Sequence, residues 1–210
     1  MRLKSALRRG VAAAVIAGIV VSSGIPAYAK TWDIASGDIT VKGASDESGN
    51  YNEVKQGDNE FKKDEGETVI TGKSKEHTVT IDTSKGNVDV TFDDLKIDVS
   101  GKKEGDGNDD GPARESKAAV TVQGDHDATI ELDGKNELKS GSYHAGLEKN
   151  DEMSEDGETI SGKLTIKDDK GKDGSLTAEG GEGGAGIGGG KESTGSSITI
   201  RGGAVKAVGG

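Results

Sequence analysis

Residues 88–101 read VDVTFDDLKIDVSG and residues 128–141 read ATIELDGKNELKSG. In both, apolar and polar positions alternate, pause at a polar turn, and alternate again. A period of two marks strands with one buried face. Residues 163–181 (KLTIKDDKGKDGSLTAEGG) give a third copy with three extra residues in the turn, and residues 197–210 (SITIRGGAVKAVGG) give a fourth. A unit of this kind cannot cover its apolar face alone and must stack on its neighbours. The pattern predicts an all-β solenoid.

Each repeat is read as three strands. One coil holds 118–122, 128–132 and 136–139; the preceding coil holds 78–81, 88–92 and 95–99. Later coils are expected over 145–180 and 185–210. Val88, Val90 and Phe92 share one face, as do Leu95, Ile97 and Val99, and these faces are placed inside. Asp89, Thr91, Lys96 and Asp98 are placed outside. Three strands per repeat with glycine or aspartate corners predict a parallel β-helix of about four coils over residues 68–210. A leucine-rich repeat is the runner-up, but its L-x-x-L-x-L signature and helical segment are missing. Residues 30–67 are more irregular and polar, and are expected to form a first coil and an N-terminal cap against edge-to-edge association. Two polar insertions, 102–117 and 149–162, are expected at corners, where loops often carry function.

Residues 1–29 read differently. Arg2, Lys4, Arg8 and Arg9 precede an apolar run over 11–21, and Ala27-Tyr28-Ala29 forms an A-x-A site. This order defines a secretory signal peptide, and the run is too short to span a bilayer. Cleavage after Ala29 is expected, giving a secreted, extracellular or cell-surface protein with no membrane insertion. Loss of the four cations leaves 23 Lys and Arg against 38 Asp and Glu, a formal charge of −15. Such a chain is repelled by nucleic acid and by anionic membranes. There is no cysteine for disulfides, and aromatic residues are too scarce for an ordinary globular core.

The sharpest metal candidate is Asp106-Gly107-Asn108-Asp109-Asp110-Gly111, the first half of a calcium-loop pattern with oxygens at alternate positions. Pro112 and Lys117 break the second half, so the choice lies between Ca²⁺ held by Asp106, Asn108 and Asp110 and a solvated acidic loop. Asp93-Asp94, Asp133 and Asp168-Asp169 recur at corners, either as weak cation sites or as turn formers. The block GGAGIGGGK (183–191) departs from the Walker pattern at Ala185 and Glu192, and a strand pattern follows it rather than a helix. Its glycines are read as turn and close-approach residues. Catalysis has a poor inventory: after cleavage only Arg114 and Arg201 remain as arginine bases, and His77, His126 and His144 lack metal-site spacing. Sugar rings stack their CH faces on aromatic surfaces. Tyr143 is the first candidate platform, with Tyr51 and Trp32 after it, each of which could equally pack or cap. An outer face with Lys96, Lys139, Lys167 and Lys206 could grip acidic sugars.

The ordered series TWDIASGDITV, HTVTID, VDVTFDDLKIDVSG, NELKSGSYHAGLE, GSLTAEGGEGGAGIGGG and SSITIRGGAVKAVGG resembles the secreted carbohydrate-binding-domain surface proteins of Gram-positive bacteria. AGIGGG followed by an ITI-x-GG strand is its most specific part. The resemblance implies a right-handed, pectate-lyase-like parallel β-helix that binds polysaccharide without catalysis, with calcium sites in some members. Family members often carry more glycine-rich coils and a wall anchor, so a fragment of a longer protein is expected. The function expected is a monomeric, non-catalytic, possible-calcium carbohydrate-binding module. A structural or adhesive stalk and a polysaccharide lyase are the alternatives.

Overall fold

The computed structural model describes residues 29–47, 49–101, 116–171 and 173–210. Nearly all of the leader lies outside these residues, as does the loop with Asp106, Asn108, Asp110 and Arg114.

The described chain is all-β, with a single 3-10 turn at Ile34–Ser36. One sheet contains β2 (Ile39–Asp46), β6 (Val79–Asp82), β8 (Val120–Gln123), β11 (Leu147–Glu148) and β14 (Ile187–Gly188), each parallel to the next. Two antiparallel strands, β3 (Gly49–Gln56) and β4 (Lys62–Asp64), extend this sheet beyond β2. The other sheet is parallel throughout. Its strands are β1 (Lys30–Asp33), β5 (Thr68–Ser74), β7 (Val88–Asp98), β9 (Ala128–Asp133), β10 (Lys135–Lys139), β12 (Leu164–Lys167), β13 (Ser175–Glu179), β15 (Ile198–Ile200) and β16 (Ala204–Val208). This arrangement is compatible with a β-helix.

Parallel register turns the alternation into files. Val79 faces Val120, which faces Leu147 and then Ile187. Val90, Ile130, Ile166 and Ile200 form a second file, and Ile97, Leu138, Ala178 and Ala207 a third. Val88, Val90, Phe92, Leu95 and Ile97 are buried as the pattern predicts, while Val99 is only partly so. Burying a Val, Ile, Leu or Phe side chain contributes roughly 1.5–3 kcal/mol each, so these files are the main stabilising element.

Three expectations are corrected. The separate strands expected at 88–92 and 95–99 are one strand, β7, that bends without breaking. Asp94 takes φ 50° at the bend, and both halves keep their pairing with β5. In the next copy of the pattern the same place does break, into β9 and β10, at Gly134 with φ 60°. A Cβ on Gly134 would also lie 2.7 Å from the Asp94 carboxylate, so a side chain there would be strained and would have to displace that carboxylate. Asn136 repairs the corner: its side-chain oxygen accepts from the Leu95 N–H at 2.9 Å, and its amide donates to the Asp133 and Ser175 carbonyls.

Second, the irregular polar pattern of residues 30–67 nonetheless forms regular strands. Polar sequences there form β1 to β4, because β1 pairs with β5 and β2 with β6, leaving alternate faces to water. Third, Thr91, placed outside with Asp89, is only 3% exposed. It does stand on an outward file, but the segment from β3 to the start of β5 covers it, with the Glu67 carboxylate accepting from its hydroxyl.

Candidate functional site

Beside that cover lies a groove of about 350 Å³. Its floor is the outward file of β7 and β9, including Asp89, Thr91, Thr129 and Glu131. One wall is β3, with Asn50, Tyr51 and Asn52; the other carries Lys167 from β12 and Lys170 from the following turn. The volume lies within the range of about 300–1,000 Å³ common for small-ligand clefts.

The polar groups of the groove are fixed by one another. Asn52 is buried and donates from its amide to the Thr68 hydroxyl at 2.9 Å and to the Asp89 carbonyl at 2.7 Å, tying the antiparallel wall to the floor. Glu131 is 4% exposed, and its Oε1 accepts from the backbone N–H groups of Asp169 and Lys170 at 2.7 and 2.8 Å. Its Oε2 is enclosed and faces the Lys167 ammonium at 3.2 Å, an ion pair without an aligned hydrogen bond. The Asp169 carboxylate first, and then Glu131, hold the Lys167 ammonium above the usual lysine range, against the opposing effect of burial. Lys170 reaches across to Glu67, so residues 103 apart in sequence close one end of the groove. The result is a preorganised lining of amides, hydroxyls and compensated charges, with Tyr51 at its edge.

Of the residues singled out for sugar contact, Tyr51 lines this groove, half-buried, with the Lys63 ammonium 4.0 Å from its ring centre. Trp32 is 9% exposed; its indole N–H donates to Asp64 at 2.9 Å, and Lys30 lies over its ring. Such burial suits the packing role the sequence also allowed. Tyr143 is elsewhere, at the corner between β10 and β11, 49% exposed with φ 73° and Lys191 over its ring. The structure therefore separates the three aromatic candidates.

The corner aspartates do gather. Burial first, and then the charges of Asp133, Asp94 and Asp173, raise the Asp93 carboxyl above its ordinary value. Burial and Asp173, with lesser contributions from Asp94 and Asp168, do the same to Asp133. Among the described residues, however, no three His, Asp or Glu side chains converge to hold a metal ion. The expected lysine face is divided: Lys96 pairs with Glu137 at 2.7 Å, Lys139 with Glu179 at 2.9 Å, Lys167 belongs to the groove, and Lys206 is exposed on β16.

Sequence reading missed Glu67, Thr91, Glu131 and Lys170 as groove residues. One signal was visible: Lys170 sits in the turn with three extra residues in the third copy, the length that lets the turn fold back over Glu131. Among the described residues no helix is long and apolar enough to cross a membrane. Compared with known proteins, the chain matches no family model, no curated protein and no solved structure.

Proposed function

We propose that this chain is a right-handed parallel β-helix whose groove between β3 and the β7–β9 face binds polysaccharide without catalysis, at or outside the cell surface. The solenoid reading is supported by the pairing of β6, β8, β11 and β14, and of β7, β9, β12 and β15, each with the strand one round before or after it. The observation that carries the glycan reading is one groove lined by Asn50, Tyr51, Asn87, Thr129 and the fixed charges of Glu131 and Lys167. A sugar ring presents CH faces that stack on an aromatic surface and hydroxyls at its rim that both donate and accept. A lining of amides, hydroxyls and ionised groups satisfies both roles. Calcium held by Asp106, Asn108 and Asp110 enters as an assisting contact of the same proposal.

Retention of the protein on immobilised neutral and acidic polysaccharides, in calcium and then in EDTA, tests this reading. Tyr51→Ala should weaken retention on neutral polysaccharide about tenfold or more, about 1.4 kcal/mol, and Tyr143→Ala should leave it unchanged. Loss of retention in EDTA would support the calcium contact. A folded sample retained by no glycan in either buffer would sink the proposal and favour a structural stalk.

A further inference from the structure

A second concavity, of about 250 Å³, lies along the opposite bend of the nine-stranded sheet, over the end of β5, the second half of β7 and β10. Its charged lining is Lys73, Lys75, Lys96 and Lys139 against Asp98 and Glu137. Four cations line it against two anions, with Glu179 beside it pairing Lys139, so a small excess of positive charge stands on a strongly acidic protein.

The register shows why this excess is left over. Lys73 on β5 stands directly opposite Lys96 on β7, about 4.8 Å away across neighbouring strands. Like charges in that position repel and are destabilising. Lys96 is relieved by Glu137 on the next strand at 2.7 Å, and Lys139 by Glu179 at 2.9 Å. Lys73 and Lys75, both exposed, form no ion pair within 4 Å among the described residues. The cluster acts on Glu137 as a group: the hydrogen bond from Lys96 first, and the charges of Lys96, Lys139 and Lys73, hold its carboxyl below the usual range against a smaller opposing effect of desolvation. Glu137 thus occupies one anion position in a cleft that has cations for more.

We propose that the Lys73–Lys75–Lys96 cleft is an anion-binding subsite that takes carboxylates of an acidic polysaccharide. A polymer with one charge per sugar suits two ammonium groups that have no ion-pair partner among the described residues, on a molecule whose net charge opposes dense polyanions. Duplex nucleic acid, with a charge per roughly 1.7 Å of axis, meets that opposition in full. The inference rests on the glycan reading only for its choice of polymer, since this cleft and the Tyr51 groove share no lining residue.

The test is titration of the protein with polygalacturonate, with a neutral glucan or xylan retained by the groove, and with a short DNA duplex, at low and moderate salt. Lys73→Gln/Lys75→Gln should weaken polygalacturonate binding about tenfold, abolish most of its salt dependence, and leave neutral-glycan binding intact. Glu137→Gln, which removes the internal competitor, should strengthen it several-fold. Unchanged polygalacturonate affinity in the double variant, or no binding by the unaltered protein, would overturn the proposal. Loss through Tyr51→Ala alone would also overturn it by placing the acidic polymer in the groove, as would tighter binding to DNA than to polygalacturonate. If neutral glycans fail to bind but the lysine effect holds, this subsite stands and the groove reading falls.

Discussion

Around β7 the interior is filled by side chains: Ile70 faces Phe92, Phe92 faces Leu132, and all three are fully buried. After residue 180 the apolar side chains are only partly buried, and glycine backbone packs closely on backbone. A Cβ on Gly184 would lie 2.0 Å from the His144 carbonyl oxygen, and one on Gly186 would lie 2.3 Å from the Val208 nitrogen. The outer strands β15 and β16 leave Ile200 49% and Val208 38% exposed. One parallel pairing scheme thus tolerates two ways of filling its interior. The first depends on side-chain volume, the second on the absence of any side chain, and they should fail differently when perturbed.

The largest effect is expected at Phe92→Ala, which leaves a cavity between Ile70 and Leu132. It should cost about 3–5 kcal/mol, read as a lowered urea midpoint with the whole transition shifted. Gly186→Ala adds only a methyl group yet forces backbone apart, at about 1–3 kcal/mol. Amide exchange should rise in β14 and β16 while β7 stays protected; an equal rise in both would erase the distinction between the two ends. Asn136→Ala probes the corner between them. It strands the Leu95 N–H in a buried setting and should cost about 1–3 kcal/mol, with Leu95 the amide most accelerated in exchange.

The smallest effect has the opposite sign. Asp93 and Asp133 have carboxyl pKa values raised above the ordinary 3.8, so the folded state holds their protons more tightly than the unfolded chain. Stability therefore falls as pH climbs from near 3.8 through the raised values, and the loss persists at neutral pH. Asp133→Asn should stabilise the protein at pH 7, by well under about 1 kcal/mol because solvent screens a partly exposed group, and should bring no gain below pH 3.8. Melting temperatures at both pH values check this; destabilisation at pH 7 would show that the corner relies on the charge.

Much of the core was legible residue by residue. Val88, Val90 and Phe92, or Leu95 and Ile97, declare a buried face because side chains on a strand alternate and only one side is apolar. The break at Gly134 was legible as a turn, but the continuity of β7 through Asp93-Asp94 was not, since aspartate pairs favour turns and the strand runs on only with a register shift against β5 between Thr71 and Lys73. The candidate groove was least legible. Tyr51 was singled out for its ring, while Thr91 and Glu131 looked like ordinary outward residues of a solvated face.

What the sequence by itself determined is the set of strands and the face each presents inward, because that information is local and repeats every two residues. It also determined where glycine replaces bulk, in the 180–190 block. Only the tertiary structure decided which outward face is roofed. Asn52 must meet Asp89, and Lys170 must meet Glu67, across 37 and 103 residues. Contacts at such separation depend on how many rounds intervene and how each corner bends, and alternation within a strand carries no record of either.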